Sequence, residues 1–146
     1  NNTNDLFEVM RVALLTERIR RNDPIPGLQP QPEDVLADAT EGGAQAVHQE
    51  KLLGSLEVGK KADLLVVDTL RAHLVPAGRI VSAWIHNGQG SDIESVMVDG
   101  QFVMRNRKIL TVDEDRIIAE ADKVGRRIWN QVLAAGPVPV PRLSRQ

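Results

Sequence analysis

Cysteine is absent from this 146-residue chain, which excludes disulfides and thiolate metal sites and fits a reducing, cytoplasmic setting. Aromatic residues are scarce, at 3% of the sequence, so a core must be built from Leu, Val, Ile and Ala. The formal charge is only −2, with a pI near 5.9, and this removes the electrostatic argument for nucleic acid or an anionic membrane as partner. No apolar run approaches the roughly 20 residues that cross a bilayer, so no membrane partner is expected. The amino end, Asn1-Asn2-Thr3-Asn4-Asp5, has neither an initiating methionine nor the basic-then-apolar layout of a secretory signal. It reads as a chain entered partway through.

Helical periodicity opens the sequence. Residues 5–21 place Leu6, Met10, Ala13, Leu14 and Glu17 along one side and Glu8, Arg11 and Arg18 along the other. Asn4 is the expected N-cap, and Arg18, Arg20 and Arg21 lie in the last turns, where cations are favoured and where a solvated helix end is expected. Pro24, Pro26 and Pro30 make a rigid connector, and Pro32 can open a second helix whose first turn holds Glu33 and Asp34. Val35, Leu36 and Ala39 form its apolar side. Gly42-Gly43 is expected to interrupt it before a short helical piece over 44–47.

From Leu53 the pattern turns extended. Ser55-Leu56-Glu57-Val58 alternates as a half-wet strand would, Gly59-Lys60-Lys61 suits a tight hairpin, and Leu64-Leu65-Val66-Val67 suits a strand covered on both faces. Residues 79–86 fit a short helix or a strand equally. Asp99-Gly100 between Ile93–Val98 and Gln101–Met104 is a strong hairpin signal. A last helix is expected from about 112 to 134, opened by a Thr111/Glu114 capping box and lined by Ile117, Ile118, Ala121, Val124, Ile128 and Val132. The tail from Gly136 carries Pro137, Pro139 and Pro141 and is read as extended.

Candidate chemistry is thin. His48, His73 and His86 are the three histidines, and their scatter offers no metal-ligand spacing. No cysteine nucleophile, G-x-S-x-G elbow or phosphate-binding loop is present. Asp63, Asp68, Asp92 and Asp99 sit where strands end or turn, which suits turn formation better than general-base work. Asn1, Asn2 and Asn4 read either as a helix cap or as a loop after a barrel strand, where active-site residues gather.

Ala39-Thr40-Glu41-Gly42-Gly43-Ala44-Gln45-Ala46, Gly54-Ser55-Leu56-Glu57-Val58-Gly59-Lys60-Lys61-Ala62-Asp63-Leu64 and Val96-Met97-Val98-Asp99-Gly100 occur in one order and spacing. That series resembles the carboxy-terminal part of the amidohydrolase superfamily, nearest the branch of triazine hydrolases and of cytosine, guanine and methylthioadenosine/S-adenosylhomocysteine deaminases. Asn4–Arg11, Arg71–Pro76 and Leu110–Glu114 extend the likeness over all but the Pro-rich tail.

The resemblance implies an α/β fold: the carboxy-terminal part of a (β/α)8 TIM barrel with part of a small flanking β-sandwich. Residues 1–50 would be the last barrel helices and 51–111 sandwich strands with a return segment at about 70–90. Residues 112–135 would be a closing helix and 136–146 the tail. It implies one divalent metal, zinc or iron, that activates water for attack on a nitrogen heterocycle in a deaminase or chlorohydrolase. The family's ligands, a His-x-His, two further histidines and an aspartate, map onto nothing here and are expected upstream. Asn1, Asn2 and Asn4 would then edge the substrate pocket. The implied partners are the amino-terminal remainder of the enzyme, a small heterocyclic substrate and a second copy in a homodimer. The competing readings are a non-catalytic assembly or binding domain, and an amidohydrolase of cyclic amides.

Overall fold

The computed structural model describes residues 4–22, 29–76 and 78–136. Helix α1 spans Leu6–Arg21, α2 Pro32–Ala37 and α3 Gly43–Ala46, with a π-helical turn over Asp38–Gly42 between the last two. Strand β1 (Leu64–Val67) is followed by α4 (Ile80–Asn87), a 3₁₀ turn (Gly90–Asp92), and strands β2 (Ile93–Val98), β3 (Gln101–Arg105) and β4 (Lys108–Ile109). Helix α5 covers Glu114–Ala134. The chain divides into two compact units at Leu110/Thr111, so α5 stands in the second unit. No helix among the described residues is long and apolar enough to cross a membrane.

Packing in the first unit centres on three helices. Phe7, Met10 and Leu14 of α1 meet Val35 of α2 and Ile85 of α4, with Val81, Trp84 and Ile93 packed around them. Leu14 and Ile85 are completely buried, and each such side chain contributes about 1.5–3 kcal/mol of transfer free energy. The buried stripe is rotated from the expected one, because Leu6 is 54% exposed while Phe7 is inside. Arg11 and Arg18 also lie at the packed edge, donating to backbone carbonyls of Ile85, Gly88 and Pro30. The arginine cluster at the end of α1 is therefore only partly a solvated one: Arg20 and Arg21 pair with Glu17, whereas Arg18 reaches across to another segment.

The helix cap is Asp5, not Asn4. Its Oδ1 accepts from the Phe7 amide at 2.9 Å, and its Oδ2 accepts from Gly90 N–H, a tertiary partner that local pattern cannot reveal. Nor does Gly42-Gly43 break its helix. Both residues keep right-handed helical angles, and the run passes through the π turn into α3. Gly54 explains the tolerance for small residues there. At φ +94° it packs on this turn, and a Cβ would stand 2.9 Å from Ala44 Cβ and 3.0 Å from Glu41 Cα.

The sheet is antiparallel throughout, in the order β1-β2-β3-β4. Leu65 faces Val96, Val98 faces Gln101, and Met104 faces Ile109. Asp99-Gly100 forms the expected two-residue hairpin, with φ positive at both residues. Its Asp99 amide donates to Asp63 Oδ1 at 2.7 Å. Asn106-Arg107 makes a second tight turn with φ +50° and +61°, which adds β4, a strand the sequence did not announce.

Ser55–Val58 is not a strand, and Gly59-Lys60-Lys61 is accordingly no hairpin. Leu56 and Val58 point into solvent and no strand pairs with the segment among the described residues. Local bonds shape it instead: Lys60 Nζ donates to Ser55 Oγ at 2.7 Å, and the Lys61 amide donates to the Leu52 carbonyl. β1 forms where expected but is not covered on both faces, since Leu65 and Val66 are 53% and 41% exposed.

Taken by itself, α5 is capped by Asp113, whose Oδ1 accepts from the Arg116 amide at 3.0 Å. The expected Thr111/Glu114 box is therefore displaced by two residues. Aspartate serves that position at least as well as threonine and adds a negative charge at the positive end of the helix. The Pro-rich tail falls outside the described residues.

Candidate functional site

Asn1 and Asn2 lie outside the described residues. Asn4 is exposed and immediately precedes the Asp5 cap, so it sits where the chain enters α1. The three histidines do not converge. His48 occupies the left-handed region at φ +56° after α3. His86 Nδ1 donates to the Ser82 carbonyl within α4 at 2.8 Å. His73 Nε2 donates to Asp92 Oδ2 at 2.8 Å. Among the described residues no group of three or more His, Asp or Glu side chains could hold a metal ion.

Asp92 is the one fully buried acid among the described residues, 1% exposed. The 3₁₀ turn that starts at Gly90 brings it beneath the Gln89 amide, which donates to Oδ2 at 2.9 Å. Its carboxylate thus receives two donors, and Arg71 Nε lies 3.9 Å from Oδ1. Both donors bind Oδ2, and burial with these partners makes Asp92 a structural anchor of the turn rather than an acid presented to a substrate.

Next to it lies a second acid, Asp68, at the end of β1. Oδ1 accepts from the Leu70 amide at 3.1 Å and Oδ2 from Arg107 Nη2 at 2.8 Å. Arg71 Nε stands 3.2 Å from Oδ2, within ion-pair distance though outside hydrogen-bonding direction. The Leu70 amide first, then the Arg107 guanidinium, hold the Asp68 carboxyl below the usual carboxylate range. Asp63 and Asp99 are likewise engaged at turns, Asp63 by the Asp99 amide and Asp99 by Lys61 Nζ at 2.8 Å. All four aspartates are turn and loop fasteners, as their positions in the sequence suggested.

An open apolar cleft of about 460 Å³ lies against the sheet, lined by Leu53, Leu56, Leu64, Val96 and Met97 with Asp63 at its rim. Its one carboxylate is already committed to the hairpin turn. The cleft can receive apolar surface, and the two hydroxyls in its lining are bonded locally, Thr40 to the Leu36 carbonyl and Ser55 to Glu57 and Lys60.

Sequence reasoning missed the pairing of His73 with Asp92 and the reach of Asp5 to Gly90. The Gln89-x-x-Asp92 spacing was the available signal for the first, since a carboxylate three residues on can accept from a turn's leading amide. Nothing local signals the second.

The likeness to known proteins spans these same elements. The amidohydrolase family model matches residues 1–103. A 5-methylthioadenosine/S-adenosylhomocysteine deaminase of Desulforudis audaxviator is 37% identical over 135 residues, covering 90% of this chain and 30% of the relative. A 5'-deoxyadenosine deaminase of Methanosarcina acetivorans is 38% identical over 123 residues, covering 83% and 27%. Among solved structures, a zinc-bound adenosine deaminase from Xanthomonas campestris superposes with a TM-score of 0.78 at 27% identity, over 86% of this chain and 28% of its own. An atrazine chlorohydrolase from Arthrobacter aurescens complexed with zinc gives 0.68 at 26% identity, over 80% and 25%. The chain thus spans about 30% of the length of the curated relative it matches over most of its own length. With the family model matching well over half of its residues, in an order that includes α1, the Gly54 turn and the β1–β2 pair, this chain belongs to the amidohydrolase family.

Proposed function

We propose that this chain is the carboxy-terminal segment of a metal-dependent aminohydrolase that removes an amino group from a nitrogen heterocycle, with an adenine nucleoside as the first substrate to test. The observation that carries this reading is the 37% identity to a methylthioadenosine/S-adenosylhomocysteine deaminase across 90% of the chain. The zinc named in two structural relatives supports a divalent metal, zinc before iron. The described residues do not fit such an ion, because they contain no convergent ligand set. Its ligands belong to residues outside this chain, and the metal would supply activation of water there.

In this reading α1, α2 and α3 are the last helices of a (β/α)8 barrel, and the sheet is part of a flanking β-sandwich. The amino-terminal remainder of the enzyme completes both. Asn1, Asn2 and Asn4 then lie at the catalytic face, where loops after barrel strands gather, and they shape or touch the substrate edge. The Asp63, Asp68, Asp92 and Asp99 carboxylates take no part in the chemistry, because each is engaged by a backbone amide or a cation.

The test uses the intact enzyme. It should contain a stoichiometric divalent metal, release ammonia from 5'-deoxyadenosine or methylthioadenosine, and lose both the metal and the activity on chelation. Alanine at Asn1, Asn2 or Asn4 should lower kcat/KM with the metal retained. Metal-free protein that releases neither ammonia from nucleosides nor chloride from a chlorotriazine would overturn the reading.

A further inference from the structure

The loop Gly88–Asp92 is fastened to α1 from two sides. Arg11 donates from Nη2 to the Gly88 carbonyl at 2.6 Å and from Nε to the Ile85 carbonyl at 3.1 Å. Asp5 answers from the start of the helix: Oδ2 accepts from Gly90 N–H at 2.8 Å while Oδ1 caps the Phe7 amide at 2.9 Å. One carboxylate thus joins the first turn of α1 to an amide 85 residues away in sequence. Gly88 is tight against its own helix end and close to α1. A Cβ at Gly88 would stand 2.5 Å from the Trp84 carbonyl oxygen and 3.2 Å from Phe7 Cδ1. Further along the loop, buried Asp92 is held by the Gln89 amide and His73, and its own carbonyl accepts from the Asp68 amide at 2.8 Å. The loop is therefore a fixed anchor between the helices and the sheet.

Capping alone needs a single oxygen, and Asn, Asp and Ser serve it about equally well. The second oxygen is what distinguishes aspartate here. With Oδ1 on the cap, an asparagine would aim a donating NH₂ at the Gly90 N–H and lose that bond. We infer that Asp5 is a positioning residue, which through the Gly90 amide sets the direction in which the chain enters α1 at Asn4. The inference rests on the reading above, in which the residues before α1 edge the substrate.

Asp5→Asn in the intact enzyme removes the bond to the Gly90 amide and leaves a side-chain oxygen for the cap. Misplacing substrate-bordering residues by a fraction of an ångström should lower kcat/KM about tenfold, carried more by KM than by kcat, with the bound metal unchanged. Amide hydrogen exchange should quicken together over residues 6–10 and 88–92. Arg79→Ala removes a pair with Glu33 that lies apart from this clamp, and should keep the parental kcat/KM. A value for Asp5→Asn within about twofold of the parent, far below the effect that misplacement produces, would overturn the positioning role. So would unchanged exchange over 88–92. Should the parent release no ammonia, the functional reading fails. Exchange then decides the clamp alone: coupled loss of protection supports it, and an undisturbed loop overturns it.

Discussion

At the scale of single residues, the carboxylates near β1 act as fasteners whose ionised form the fold selects. Asp68 shows how this translates into pH dependence. Its carboxyl is held below the usual range by the Leu70 amide and by Arg107, so the folded state prefers it charged. A lowered folded value means the stabilisation is fully present above the ordinary carboxylate value and is lost as pH falls through the depressed one. Asp68→Asn should therefore flatten part of the acid limb below about pH 4, read as the urea midpoint from pH 5 down to pH 2. Parallel loss in parent and variant would show that Asp68 contributes nothing to it. Some slope should remain in the variant, because Glu17, hydrogen-bonded by Arg20 and Arg21, is lowered to about 2. The sequence identified these acids as turn formers because aspartate at strand ends commonly accepts from nearby amides. It left His73 and Asp92 unconnected, since they lie 19 residues apart and only folding brings them to 2.8 Å.

Among the elements, legibility followed how local the cause was. The Asp99-Gly100 hairpin was readable because both residues tolerate positive φ and apolar runs flank them. Asn106-Arg107 was not, because arginine seldom occupies the left-handed region. Here its guanidinium binds Asp68 and its amide donates to the Glu94 carbonyl at 2.7 Å. Ser55–Val58 alternates like a strand yet has no partner strand among the described residues, and alternation alone cannot supply one. Helix α5 lies where its periodicity predicts, with Asp113 rather than Thr111 as its cap. That difference is measurable. Asp113→Ala should cost about 1 kcal/mol of α5 stability, whereas Thr111→Ala should fall within about 0.5 kcal/mol of the parent. Exchange of the Arg116 and Ile117 amides reads it directly, and equal protection in both variants would remove Asp113 from the role.

For the molecule as a whole, the fold reads as apolar surface prepared for something to cover it. Leu65 and Val66 of β1 are exposed, as is Phe102 of β3, and α5 carries Ile117, Val124, Ile128 and Val132 without a buried residue along its length. In each unit taken by itself, exposed apolar side chains of this kind mark an interface or an aggregation hazard. The apolar run in β1 announced two covered faces, and under the proposed reading the cover is the remainder of the enzyme. Residues 1–146 expressed alone should then aggregate, while the intact enzyme stays monodisperse in light scattering. Leu65→Glu separates the two settings. In the isolated segment it breaks the apolar patch and should raise solubility. In the intact enzyme it places a carboxylate where apolar cover is expected and should lower Tm by several degrees, in keeping with a cost of about 1–3 kcal/mol for an unpaired buried polar group. An isolated segment that is monomeric and unfolds in one cooperative transition would instead identify a self-sufficient module, and would favour the assembly-domain reading over the enzyme fragment.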